Sequence, residues 1–201
     1  RMSALEEVEG KLRELLEQLP AARYWERVMG IEGMAARHYY SAWPQWLPFA
    51  GDSFIRVYNP PDNPVNAVLS FLNSLLYAAC VSELYRTALY PGISYLHAPQ
   101  TRRFSLALDL VEPFKPVLVD RLLFRVFNRE GFGDDDFEPH SNGVLLSDEA
   151  RRRLVQLWDE QLRETVEYPA LNRSVSYRQL LRLDCYKLIR HLLEGTEFTP
   201  Y

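Results

Sequence analysis

The chain has 201 residues, 47% of them hydrophobic and 25% charged, enough apolar material for one sizeable core and no compositional sign of disorder. Its net charge of −4 excludes nucleic-acid binding through overall charge, so any such contact must rest on a local basic surface. The longest apolar stretch, 65–81, is interrupted by Asn66, Ser70, Asn73 and Ser74 and falls short of the roughly 20 residues of a membrane span, and the first residues lack a secretory pattern.

In chain order, Ser3 with Glu6 forms a capping box for a helix reaching Leu19, whose apolar stripe is Leu5, Val8, Leu12, Leu15 and Leu19 and which Pro20 ends. A second helix is expected over about 22–40. Trp25, Met29, Ala36 and Tyr39 share one face of it with Glu32, and the flanking Gly30 and Gly33 would let another backbone approach. Residues 43–62, with four prolines among aromatic residues, read as a loop. Asn63 as N-cap and Pro64 at the first helical position start a long helix to about Thr87. Val65, Val68, Leu69, Leu72, Leu76 and Ala79 are its apolar face; Asn66, Ser70, Asn73 and Tyr77 form a polar one that either faces water or lines a pocket.

Pro91-Gly92 marks a turn, and a helix over about 105–128 should kink at Pro113. Asn142-Gly143 signals a small β-hairpin near residues 137–146. Ser147 then caps a helix with Leu154, Trp158, Leu162 and Val166 on its inner face; Ser176 and Gln179 open the last one, which Gly195 ends. Cys80 and Cys185 fall inside helices without a CxxC pairing and read as reduced thiols of a cytoplasmic protein with no membrane partner. The fold class is all-α, a compact multi-helix domain over 1–201.

Chemistry concentrates in 105–120. Asp109 and Glu112 lie in an apolar segment where an unpartnered carboxylate is costly, and three residues apart on a helix they would point to a common region. His97 and Glu32 could complete a mixed nitrogen and oxygen ligand set without thiolate, suited to manganese or magnesium rather than structural zinc. Read from spacing alone, His97 as a core histidine and Asp109 as an arginine partner remain open. Basic residues cluster at Arg102-Arg103, at Lys115, Arg121, Arg125 and Arg129, and at 151–153, where solvated helix faces are the simpler explanation.

The phrases IEGMAARHYY (31–40), PPDNPVNAVLSF (60–71), the end of YPGISYLH (90–97) and SLALDLVEPFKPVLVD (105–120), in this order, resemble the CRISPR-associated integrase family that inserts spacers into CRISPR arrays. The resemblance implies an all-helical catalytic domain, without the family's N-terminal β-rich dimerisation domain, that acts as a divalent-metal-dependent DNA endonuclease and integrase. It would join prespacer DNA 3′ ends into a CRISPR repeat by transesterification. It implies Mn2+ or Mg2+ bound by Glu32, His97 and Glu112, with Asp109 as an adjacent catalytic acid. The implied partners are DNA, a small ferredoxin-like CRISPR-associated protein and, in the full-length form, further copies of itself.

Arg37, Asn66, Arg102, Arg103 and Lys115 are the expected DNA contacts. The sequence departs from the family pattern at Ser94, where a glycine is usual, at Ala88-Leu89-Tyr90-Pro91, and before Pro60-Pro61, where Arg56 is the nearest arginine. A DNA- or partner-binding module without catalysis, derived from a longer or fused protein, is the alternative; a generic single-strand nuclease is a third reading.

Overall fold

The computed structural model describes residues 2–97 and 103–201, with residues 2–4 and 48 described in backbone only. The Ser3 cap and Arg102 therefore lie outside the described side chains. Seven α-helices are present among the described residues: α1 (Met2–Gln18), α2 (Trp25–Ser41), α3 (Pro64–Leu84), α4 (Ser105–Val111), α5 (Arg121–Asn128), α6 (Asp148–Arg163) and α7 (Tyr177–Glu194). Two antiparallel hairpins join them, β1 (Phe137–His140) with β2 (Gly143–Leu146), and β3 (Thr165–Tyr168) with β4 (Arg173–Ser176).

Helix α3 is the hub. Its Asn63 cap accepts the Asn66 amide at 2.9 Å with Pro64 at the first position, and Val65, Val68, Leu69, Leu72, Leu76, Cys80 and Leu84 are fully buried. The 21 residues of α3 are long and apolar enough to cross a membrane, yet α4, α5, α6 and α7 all pack on it, which is how a core helix uses such a sequence. Buried Glu83 on α3 receives Arg182 of α7 on its Oε2 at 2.6 Å, a pair that offsets part of the cost of burying the charge. Burial pushes the thiols of Cys80 and Cys185 up from their ordinary values, so both stay protonated and unreactive.

The segment after α4 is not one kinked helix. It passes through a 3-10 turn (Glu112–Phe114) and a π-helix (Lys115–Asp120) before α5, because Pro113 and Pro116 each withhold an N–H from the ladder. Carbonyls freed by the irregularity are satisfied by buried Gln161 of α6, whose amide donates to Val117 and Leu118 at 3.0 and 3.1 Å. At the other end of the chain, Gly195 adopts φ 69 and closes α7 on the His191 carbonyl at 3.0 Å. The tail then runs back so that Tyr201 stacks on buried Phe114, ring centroids 5.3 Å apart.

Three local expectations are corrected. Helix α6 ends at Arg163, and Val166 belongs to β3, in a second hairpin that the helical pattern had absorbed. The first hairpin exists, but its turn is Ser141-Asn142 and Gly143 already pairs with His140. Gly30 and Gly33 have no described atom within 4 Å of a Cβ, so they admit no neighbouring backbone.

Gly143 has a packing reason set by backbone. A Cβ there would lie 2.3 Å from the Pro61 carbonyl oxygen, which accepts the Val144 amide at 2.8 Å. Gly143→Ala should therefore lower stability by about 1–3 kcal/mol, while Gly30→Ala, on an exposed helix turn, should raise it by about 1 kcal/mol. Denaturant unfolding of the two variants checks this; equal effects would remove the steric argument.

Candidate active site

The loop 93–97 is fastened to α4 by one carboxylate. Asp109 accepts the backbone amides of Tyr95 at 2.6 Å, Leu96 at 3.1 Å and His97 at 3.0 Å, and its Oδ1 lies 2.6 Å from His97 Nδ1. Burial alone would raise the Asp109 carboxyl, but the His97 ring and these amides outweigh it and hold it below its ordinary value. The acid is thus ionised and acceptor-only, so the Nδ1 proton belongs to His97 and Nε2 is the ring nitrogen that Asp109 does not engage. Ser94 uses its hydroxyl to donate to the His97 carbonyl and closes the loop.

Glu32 reaches the same region from α2. Burial is the first cause that raises its carboxyl from the ordinary value and the Glu112 carboxylate the second, while Lys115 and His97 act in the opposite direction. Glu112, Lys115 and His97 therefore each lie within electrostatic reach of Glu32. Asp109 and Glu112 line one hollow, as helical spacing predicts, but each carboxylate is taken by its own partner. Asp109 serves the loop, and Glu112, at the first residue of the 3-10 turn, takes the Lys115 ammonium at 2.5 Å. As arranged, no three His, Cys, Asp or Glu among the described residues stand close enough to hold an ion. The donor chemistry nevertheless fits a hard divalent cation: one imidazole nitrogen oriented by a carboxylate, and two carboxylates that repel each other.

Two hollows adjoin these groups. One, of about 300 Å³, lies between Leu96, Asp109 and Glu112 on one side and Leu188, Phe198 and Pro200 on the other, and is almost wholly apolar. The second, of about 490 Å³, is richer in polar groups and basic, with Arg56, Tyr58, Asn73, Tyr77, Arg103 and Lys115 on its walls. The polar face of α3 thus lines a pocket instead of facing open water, through Ser70, Asn73 and Tyr77.

Asn66 does not reach that groove surface. It is fully buried, donates to the Ile55 carbonyl and to Asp62 at 2.9 and 2.7 Å, and accepts from Arg56 at 3.0 Å, so its role is to position Arg56 and not to touch DNA. Arg56 also donates to Ser70 at 2.9 Å and stacks 4.2 Å over the Tyr58 ring. Both line the groove; the sequence reading named Arg56 only as the nearest arginine before Pro60-Pro61 and did not name Tyr58. The signal for Arg56 was the acceptor pair Asn66 and Ser70, one turn apart on α3.

Arg103 lines the groove with its Nε buried and unpartnered among the described residues; Arg37 is exposed on α2, five residues past Glu32. The remaining basic clusters are largely neutralised: Arg121 faces Glu164 at 3.7 Å, Arg125 pairs with Glu130 at 2.7 Å, and Arg153 with Asp136 at 2.9 Å. Arg151 and Arg152 pair with Asp148 and Glu149 one turn earlier.

Behind the site, Tyr39 of α2 donates to buried Asp120 at 3.0 Å and ties the helix that carries Glu32 to the π-helix that carries Lys115. Burial raises the Asp120 carboxyl to about 6, against the smaller lowering effects of the Tyr39 hydrogen bond and of Lys115. Between pH about 4 and 6 the folded chain therefore holds a proton that the unfolded chain has lost, so stability should fall as pH rises through that window, by about 2–3 kcal/mol at most. Asp120→Asn keeps an acceptor for Tyr39 and cannot ionise. It should gain stability above pH 6 and none below pH 4 in pH-resolved unfolding; parallel profiles for parent and variant would contradict the assignment.

Comparison with known proteins agrees with the order of motifs. A family model described as CRISPR associated protein Cas1 matches residues 1–160. Over 204 aligned residues the chain is 40% identical to CRISPR-associated endonuclease Cas1 2 of Thermodesulfovibrio yellowstonii, with 100% of this chain and 61% of that protein covered. A Cas1 protein from Thermotoga maritima superimposes with TM-score 0.84 at 36% identity, over 94% of this chain and 59% of that one. A chain of a Cas6-RT-Cas1–Cas2 complex superimposes with TM-score 0.88 over 98% of this chain and 22% of its own length, at 24% identity, where the likeness shows the fold alone. The chain spans 61% of the length of the Thermodesulfovibrio relative. A model matched across most of the sequence, and relatives that share more than a third of its residues, establish that the chain belongs to the CRISPR-associated protein Cas1 family.

Proposed function

We propose that this chain is the metal-dependent catalytic part of a DNA integrase and endonuclease, which joins a DNA 3′ hydroxyl to a phosphodiester of a CRISPR repeat by transesterification. The observation that carries the reading is a His97 ring held by Asp109, together with a Glu32 that feels the charges of Glu112, Lys115 and His97, beside a basic groove. In this reading Glu32, Glu112 and His97 Nε2 hold Mn2+ or Mg2+, and a bound divalent ion would supply Lewis acidity and a template for in-line displacement at phosphorus. Asp109 fixes the imidazole and its tautomer through Nδ1 and keeps the loop amides in place, a positioning role that leaves the ion to the other three.

Arg56, Arg103 and Lys115 are the groups that bind backbone phosphates in the groove, and Tyr58, held under Arg56, offers a ring for base stacking. Arg37 extends the basic surface outward from Glu32. The relatives' name as CRISPR-associated endonucleases supports DNA as substrate, and a small CRISPR-associated protein is the proposed partner.

A strand-transfer assay with Mn2+, the small partner protein and a repeat-bearing plasmid tests the reading. Glu32→Gln, His97→Ala and Glu112→Gln should each lower joined product at least about 100-fold. Nicked plasmid without joined product would support the nuclease reading, and DNA binding without either product the non-catalytic one. Asp109→Asn should lower turnover about 10- to 100-fold and metal affinity less than Glu112→Gln does in the same calorimetric titration. Equal losses of affinity would move Asp109 into the ligand set.

A further inference from the structure

Lys115 is the one side chain that belongs to both halves of the site. Its ammonium rests 2.5 Å from Glu112 Oε1, and the pair is about one-third exposed, 34% for the lysine and 31% for the glutamate. The same side chain lines the basic groove with Arg56 and Arg103. Its charge is also felt by Glu32 and by Asp120. A cation bound to one oxygen of a proposed ligand competes with any divalent ion for that oxygen, because both cannot neutralise it at contact distance.

From this geometry we infer that Lys115 is an exchangeable internal cation. It neutralises Glu112 before metal enters, is displaced by the metal, and then turns into the groove to meet a DNA phosphate. The inference rests on the metal reading above and adds a coupling to it. Metal binding releases a phosphate-binding ammonium, and a phosphate that draws Lys115 away releases a carboxylate for metal. By linkage the two must strengthen each other by the same factor. A partly exposed ion pair is worth little, so the factor is modest, about three- to fivefold. The four-carbon stem suits the exchange, since it lets a compact charge swing between two acceptors without moving the backbone.

The test is a set of Mn2+ titrations, read by the electron paramagnetic resonance signal of free Mn2+, on the 201-residue chain with and without a short single-stranded DNA. The parent should bind Mn2+ about three- to fivefold more tightly with DNA present. Lys115→Met should bind Mn2+ about three- to fivefold more tightly than the parent without DNA, and DNA should no longer improve it. Arg103→Gln removes a groove charge that has no ion pair to Glu112 and controls for general electrostatics; it should raise DNA-free Mn2+ affinity less than Lys115→Met does. If Lys115→Met binds Mn2+ no better than the parent, or if Arg103→Gln improves it equally, the exchange is wrong. If Glu112→Gln binds Mn2+ as the parent does, the metal reading itself fails and the exchange with it.

Discussion

The site depends first on what Asp109 does with its two oxygens. An ionised carboxylate at 11% side-chain exposure must be met by donors, and here three consecutive amides and an imidazole N–H meet it. Charge-assisted bonds of this kind are worth more than neutral ones, about 1.5–3 kcal/mol each, and together they hold a loop that has no regular structure of its own. The consequence for chemistry is directional. Once Nδ1 is committed to Asp109, only Nε2 can serve as a ligand, and it does so from a ring that cannot turn freely.

The second constraint is the irregular helix after α4. A regular helix through 105–128 would carry Glu112 and Lys115 on one continuous stripe. Two prolines instead produce a 3-10 turn followed by a π-helix, and π-helical segments recur at functional sites because they re-aim side chains. Gln161, Phe114 under Tyr201, and Tyr39 on Asp120 hold that irregular backbone from three sides, so its cost is offset by packing from α6, the C-terminal tail and α2. The same contacts bring the Glu32 helix to the segment that carries the other acids.

Much of this was legible in the sequence, and the reasons differ by residue. Asn63-Pro64, Ser176 with Gln179, and Gly195 announce helix ends because capping chemistry is local. The groove-lining face of α3 was legible as a stripe of small polar residues at helical spacing, though periodicity could not say whether it met water or other protein. The site acids were visible as charges inside apolar phrases. What stayed hidden depends on distance in three dimensions. Asn66 is an ordinary polar residue in sequence, and only the approach of 55–62 to α3 makes it a buried support for Arg56. Gly143 read as a turn residue, whereas its lack of a side chain serves contact with Pro61, more than 80 residues away in sequence. Val166 fitted a helical stripe until the strand pairing to Val175 claimed it. The pairing of Lys115 with Glu112 needed side-chain geometry that spacing alone does not fix.

The central claim, that Asp109 orients His97 so that its Nε2 joins Glu32 and Glu112 around one divalent ion, is tested most directly by diffraction at the manganese absorption edge from crystals grown with Mn2+. The account expects one anomalous peak bonded to Glu32, His97 Nε2 and Glu112, with Asp109 still bound to Nδ1 and to the three loop amides. A peak bonded to Asp109 in place of Glu112, or an imidazole turned so that Nδ1 faces the ion, would contradict it.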